Sequence, residues 1–225
     1  MTLSIAGNID TDEVLAICDE MLRPCEDKKL ETFFPDEPDE IVQSEIYEKQ
    51  PVGASIFHLG YKCRPCNDSE RLKKIMQATI AVSMITDPST EMYMELISNG
   101  VINSSFGGEV FSGDGYFTVI FSGESAKPDV IKKSIIEQTK DIINNGIDKE
   151  LFSRIKKSTY GSLIRQLNNV SAVANLMINN HMDGIKPYDI LDSLSEITYD
   201  DIHDFIKSEL LTDKLVLSVI ERSED

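Results

Sequence analysis

The chain has 225 residues, enough to bury the core of one large domain. Its 39 acidic and 22 basic residues give a formal charge of −17, which argues against nucleic acid and anionic membranes as partners because both need basic patches. No apolar run reaches the roughly 18 residues of a membrane span, and no basic-then-apolar leader is present. Four cysteines do not make a disulfide scaffold, so we expect reduced thiols and a cytoplasmic location.

The first 43 residues differ in character from the rest of the chain. Residues 2–7 have the composition of a strand, and residues 11–22 carry apolar side chains at helical spacing. Residues 23–43 hold three prolines and seven carboxylates, a composition typical of an extended acidic linker.

Two strands and two helices are predicted next. Residues 44–49 and 53–61 read as strands. Asn67 and Glu70 have the spacing of a capping box, which predicts a helix that ends before Asp87. Pro88 is predicted to open a second helix as its first residue. The inward positions of that helix are expected at Met92, Leu96 and Ile97.

A central hairpin is the clearest feature of the sequence. Residues 116–121 alternate strictly between two faces, with aromatic or β-branched side chains on both. Ser112, Gly113, Asp114 and Gly115 join this run to the strand before it, and the Asp-Gly pair suits the positive-φ positions of a tight turn.

Four helices and a closing strand are predicted after the hairpin. The helices begin near residues 125, 148, 172 and 198, and the strand covers 215–220. Hairpins and helices that are segregated along the chain indicate an α+β domain. Its antiparallel or mixed sheet is expected to be covered on one face by helices.

This order resembles the pitrilysin-type (insulinase) zinc peptidases, which include the mitochondrial processing peptidase, and most of all their compact bacterial members. The local sequences that carry the resemblance are residues 94–100 with Phe106, residues 115–117 with Phe121, and the tail over 192–202. The family is built from repeated homologous domains. The resemblance therefore implies that residues 1–22 are the tail of a preceding domain, 23–43 an acidic linker, and 44–225 a peptidase-like second domain.

The resemblance also implies where the chemistry lies. The family binds catalytic zinc through an inverted His-x-x-Glu-His motif in the first domain. This sequence has only His58, His181 and His203, and no two of them have that spacing. We therefore expect no catalytic residue, no metal ligand and no cofactor in this chain, with zinc in a missing catalytic half.

A second departure concerns the arginine and tyrosine that the second domain of active relatives contributes to the tetrahedral intermediate. Ile97 and Asn103 stand near those places, so neither role is carried over. The chain is interpreted as an inactive half that closes a chamber and positions a peptide substrate for a catalytic peptidase domain or subunit.

The wall of such a chamber is predicted to include Asn103, Ser104, Ser105 and Phe106, although the same residues read equally well as ordinary strand positions. Two other functions stay open. Cys63 and Cys66 form a C-x-x-C motif, as found in thiol-disulfide oxidoreductases, and with His58 they offer three ligands of a metal site that lacks a fourth. Neither function is favoured, because the Asp68 carboxylate would disfavour a thiolate and no tryptophan adjoins the motif. A non-enzymatic interaction module is the remaining alternative.

Overall fold

A five-stranded mixed sheet forms the centre of the computed structural model, which describes residues 2–23, 26, 31, 33, 38–186 and 188–223. The strand order is β1-β5-β2-β4-β3. β1 runs parallel to β5, and the other neighbours pair antiparallel. The strands are β1 (Glu45–Gln50), β2 (Ile56–Cys63), β3 (Gly107–Gly113), β4 (Tyr116–Glu124) and β5 (Leu215–Arg222).

Eight α-helices accompany this sheet in the described part of the chain. They are α1 (Thr11–Met21), α2 (Asp68–Thr86), α3 (Glu91–Ser98), α4 (Pro128–Asn145), α5 (Lys149–Gln166), α6 (Val170–Met182), α7 (Asp189–Glu196) and α8 (Tyr199–Glu209).

One face of the sheet holds the core, which confirms the predicted α+β class. Alternate residues of β2 and β4 are buried, and α2 packs on β3 while α8 packs on β2. The rings of Tyr61 and Phe121 meet edge-on with their centroids 6.3 Å apart. The α4 side chains that pack into this core are Ile131, Ile135, Thr139 and Ile142, all of them buried.

The central hairpin is confirmed, with one change in its turn. β3 and β4 join through Asp114 and Gly115, and only Gly115 adopts positive φ, at +82°. The predicted helix starts at Asp148 and Thr198 are also confirmed. Asp148 caps α5, and Thr198 forms a full capping box with Asp201 at the start of α8.

Four local predictions are wrong. Asn67 is the N-cap of α2, but its side chain makes no cap hydrogen bond. Pro88 lies before α3, because Thr90 caps that helix by accepting a hydrogen bond from the Tyr93 N–H. Ile97 is 37% exposed instead of facing inward. Five α-helices, not four, follow the hairpin in the described residues. The sequence did not predict α7, because its eight residues are too few to show a helical period.

The amino-terminal region is less regular than its sequence suggests. α1 forms as predicted, but residues 2–7 make no strand: a strand needs a neighbour for its backbone hydrogen bonds, and residues 2–7 pair with none of the five strands. Much of the predicted linker, 23–43, lies outside the described residues. No helix in the described ranges combines the length and apolar character needed to cross a membrane.

We predict that Gly108→Ala destabilises the fold where α2 meets β3. A Cβ at Gly108 would lie 2.5 Å from Val82 Cγ1 and 3.1 Å from the Ile120 carbonyl oxygen, so the core must shift. Overpacking of this kind costs about 1–3 kcal/mol of unfolding free energy, measurable by urea denaturation. Gly107→Ala is the matched control, since a Cβ there meets nothing within 4 Å. Equal losses at both positions would contradict the prediction.

Candidate functional site

The second face of the sheet is not covered by any helix in the described residues. Along β2 and β4 the residues between the buried ones are partly or fully exposed. We call this surface the open face. By strand register it comprises Ile46, Glu48, Gln50, Ile56, His58, Gly60, Lys62, Gly107, Glu109, Phe111, Gly113, Tyr116, Thr118, Ile120, Ser122, Glu124, Val216, Ser218, Ile220 and Arg222.

The middle of the open face is apolar or neutral. One row crosses all five strands as Ile46, Ser218, His58, Ser122 and Gly107. The open-face lysine, arginine and carboxylates all lie outside this row. The open face also carries seven apolar side chains. A contiguous exposed surface with this many apolar side chains is typical of a surface that binds a peptide or another domain. The seven side chains are Ile46, Ile56, Phe111, Tyr116, Ile120, Val216 and Ile220.

His58 stands in that central row, and its position rules out one of the sequence hypotheses. It is exposed. Cys63 is five residues later on the same strand, so its side chain points to the covered face, where it is 5% exposed. The two residues lie on opposite sides of the sheet and do not share a metal site. No cluster of metal-ligating side chains occurs among the described residues.

The predicted peptide-binding stretch lies at one end of the open face. Asn103 Nδ2 donates to Glu124 Oε2 at 2.8 Å, and its Oδ1 accepts from the Ser105 N–H at 2.8 Å. Ser105 Oγ in turn accepts from the Glu124 N–H at 2.9 Å. These bonds fix the loop beside a cleft of about 380 Å³, which Asn103, Glu124 and Arg222 help to line.

The four residues of that stretch differ in accessibility. Asn103, Ser104 and Ser105 are exposed. Phe106 is 7% exposed, with its ring 6.3 Å from that of Phe57 and 6.1 Å from that of Tyr93. The first three side chains are therefore accessible at the surface, while Phe106 packs in the core beneath them.

The C-x-x-C motif gives no support to the oxidoreductase alternative. Burial, followed by the nearby Glu209 charge, raises the pKa of the Cys63 thiol to about 12. Burial also raises the pKa of Cys66. Redox cysteines need a readily formed thiolate, which this environment disfavours.

We predict that Cys63 resists alkylation in the folded chain. At pH 8 a thiol with a pKa of about 12 is ionised in roughly one molecule in 10⁴. Iodoacetamide followed by mass spectrometry should leave Cys63 unmodified while Cys66 reacts slowly, and both should react alike in urea. Rapid native labelling of Cys63, or a Cys63–Cys66 disulfide that turns over, would revive the redox hypothesis.

A buried carboxylate anchors the loop that carries the motif. Glu209, the last residue of α8, accepts from the Arg64 N–H at 2.9 Å and lies 2.9 Å from Lys74 Nζ. Lys74 Nζ also donates to the Arg64 carbonyl at 2.7 Å and lies 4.9 Å from the centroid of the Phe117 ring. Sequence reasoning missed this cluster because its members are distant along the chain.

Comparisons of the sequence with known proteins point to one peptidase family. The sequence pattern described as "Peptidase M16 inactive domain" matches residues 1–159. The chain is 22% identical over 239 residues to "Uncharacterized zinc protease YmfH" of Bacillus subtilis (strain 168), an alignment that covers 99% of this chain and 53% of that protein. The chain therefore spans about half the length of this curated relative.

Solved structures share the fold at low sequence identity. A putative M16-like peptidase from Alicyclobacillus acidocaldarius superposes with a TM-score of 0.86 at 20% identity, over 96% of this chain and 53% of that one. A protease from Helicobacter pylori gives 0.76 at 15%, over 96% and 54%. A peptidase M16 inactive domain from Pseudomonas fluorescens gives 0.68 at 12%, over 96% and 52%.

Proposed function

Because the chain belongs to the peptidase M16 inactive-domain family, we propose that it closes a chamber and positions peptide substrates for a zinc-bearing catalytic half. Hydrolysis is supplied by that half, since this sequence has no pair of histidines at the spacing of the inverted zinc motif. The chain's own contribution is a surface on which an extended peptide is bound and held in register.

The open face is the observation that carries this proposal. It spans five strands with no covering helix in the described residues, and its central row carries no lysine, arginine or carboxylate. Apolar positions contribute contact area to a peptide, and hydroxyl groups such as those of Ser122 and Ser218 can bond its backbone. Asn103, Ser104 and Ser105 extend this surface at the Glu124 end, and we propose them as peptide contacts.

The amino-terminal segment supports a division between two halves. α1 has no buried residue, and Leu15, Ile17 and Met21 are 56%, 49% and 75% exposed. We propose that residues 1–22 pack against the preceding zinc-bearing domain, that 23–43 connect the two, and that 44–225 form the second domain.

The charge of −17 supports partners other than nucleic acid or membranes, and free thiols at Cys18, Cys63 and Cys66 support a cytoplasmic location.

The test is reconstitution with a zinc-bearing domain that carries the inverted motif and is encoded in the same genome. We call this combination the reconstituted pair. Cleavage of a quenched fluorescent peptide is measured with and without the chain. The chain is expected to raise kcat/KM at least 10-fold, and chelation of zinc should abolish cleavage. A catalytic domain that neither binds the chain nor gains activity from it would contradict the proposal.

A further inference from the structure

We propose that one face of helix α6 is the surface on which the zinc-bearing half docks. Three apolar positions of α6 define this docking face. They are Val170, Ala174 and Met177, which are spaced i, i+4 and i+7 and so share one side of the helix. The inference rests on the proposed function, because it assigns the zinc-bearing half a place on the second domain.

The sequence of α6 lacks charge. Residues 166–182 contain no Asp, Glu, Lys or Arg, and they form the longest uncharged run of a chain in which 27% of the residues are charged. A shorter uncharged run, residues 75–86, lies in α2, where seven of its side chains are buried. Burial in the core therefore explains the missing charge in α2, but α6 does not lie in the core.

α6 is exposed for most of its length. Within the described part of the chain, Asn180 is the only residue of α6 that is buried. Val170 and Met177 are 55% and 45% exposed, and Ala174 between them is half-buried. Helices as short as roughly 12–15 residues are marginal in water and gain most of their stability from the packing of an apolar face. An uncharged face that exposes valine and methionine has the composition of an interface core, where charged residues are depleted.

The amino-terminal segment indicates what covers the docking face. A Cβ added to Gly7 would lie 3.9 Å from Val170 Cγ1, so the chain around Gly7 lies against the first turn of α6. Leu3, Ile5 and Ile9 of this segment are exposed. Under the proposed division, residues 1–22 pack against the zinc-bearing domain, and that domain then meets the second domain beside Val170.

The length of the relatives supports the same occupant. The Bacillus subtilis protein extends beyond the match, since 99% of this chain covers 53% of that protein. The part left over is long enough for a further domain of similar size. Two halves that stay together need a contact surface without unpaired charge, and α6 offers one on a chain of net charge −17.

The test measures the binding of the full chain to the zinc-bearing domain of the reconstituted pair by isothermal titration calorimetry. Val170→Glu and Met177→Glu each place a carboxylate on the docking face. Each should weaken binding about 10-fold or more, because the charge would be buried without a partner. Met177→Leu keeps an apolar side chain of similar size and should bind within about twofold of the unaltered chain.

Val130→Glu is the matched control. Val130 is 42% exposed in the first turn of α4, and Val170 lies in the first turn of α6. A carboxylate is favourable near a helix N-terminus, so both variants should keep the fold, which thermal melts check. Val130→Glu should bind as tightly as the unaltered chain. Hydrogen exchange should slow in α6 when the zinc-bearing domain binds and stay unchanged in α4.

The outcomes separate the docking face from the chamber role. Equal affinity for all variants, in a pair that still gains activity from the chain, would overturn the docking face and leave the chamber role standing. Weaker binding by Val170→Glu and Met177→Glu, in a pair whose cleavage the chain does not raise, would support the docking face and overturn the chamber role. Absence of any binding would overturn both.

A second copy of the chain is the competing occupant, and sedimentation of the chain alone detects it. The docking-face proposal predicts a monomer. A dimer that is lost in Met177→Glu would assign α6 to a second copy and overturn the proposal.

Discussion

Replacing Glu209 by alanine is expected to lower the free energy of unfolding by about 3 kcal/mol, because it removes one partner of a buried ion pair. The Glu209 side chain is 7% exposed and that of Lys74 is 13% exposed. Without the carboxylate, the Lys74 ammonium loses its buried counter-charge, and the Arg64 N–H loses its acceptor. Arg64 itself is 70% exposed and contributes little through its guanidinium.

Urea unfolding followed by circular dichroism measures this loss, and the chain offers a matched control. Glu196 also ends a helix, α7, but it is exposed and its side chain makes no hydrogen bond or ion pair with a described residue. Glu196→Ala should be neutral or slightly stabilising, since a carboxylate is unfavourable at the negative end of the helix dipole. Glu209→Gln should lose less than the alanine variant because it keeps an acceptor. A loss below about 1 kcal/mol for Glu209→Ala would contradict a structural role for this pair.

Ile120→Arg is expected to reduce peptide cleavage by the reconstituted pair about 100-fold, equivalent to roughly 2.7 kcal/mol, because it places a charge in an apolar contact surface. Ile120 lies on β4 between Gly60 and Glu109 on the neighbouring strands. The arginine can pair across the strands with Glu109, so the fold should tolerate it. The loss should therefore appear in kcat/KM and leave the melting temperature nearly unchanged.

Ile164→Arg is the control for this variant. Ile164 is 37% exposed on α5, outside the open face, and receives the same change of size and charge. The cleavage rate of the reconstituted pair with this variant should stay within about twofold of the rate with the unaltered chain, as is usual for surface substitutions away from a site. Similar losses for the two variants would mean that the open face has no special part in cleavage.

The sequence predicted those parts of the fold that depend on local pattern. Strict alternation over residues 116–121 predicted β4, and Asp148 and Thr198 marked the starts of α5 and α8 correctly. The strand predicted at residues 2–7 failed because pairing depends on a neighbour, which local pattern does not reveal. α3 starts at Glu91 and not at Pro88 because Thr90 offers a side-chain cap that proline lacks.

The candidate site was harder to predict from the sequence, because residues that are far apart along the chain form it. The loop from Asn103 to Ser105 was singled out from the sequence, but its bonds to Glu124 join residues about twenty positions apart. The open face is made by five strands whose order in the sheet does not follow the chain. Glu209 gains its role from Arg64 and Lys74, which lie more than one hundred positions away, so it has no local signature.

Photo-cross-linking from position 120 tests the central claim most directly. The photoreactive amino acid benzoyl-phenylalanine replaces Ile120 in the reconstituted pair, a peptide substrate is added after zinc is removed by chelation, and adducts are identified by mass spectrometry. The open-face account predicts a peptide adduct from position 120 and none from the same label at Ile164. A peptide adduct from position 164 with none from 120, in a pair that cleaves the peptide before chelation, would contradict it.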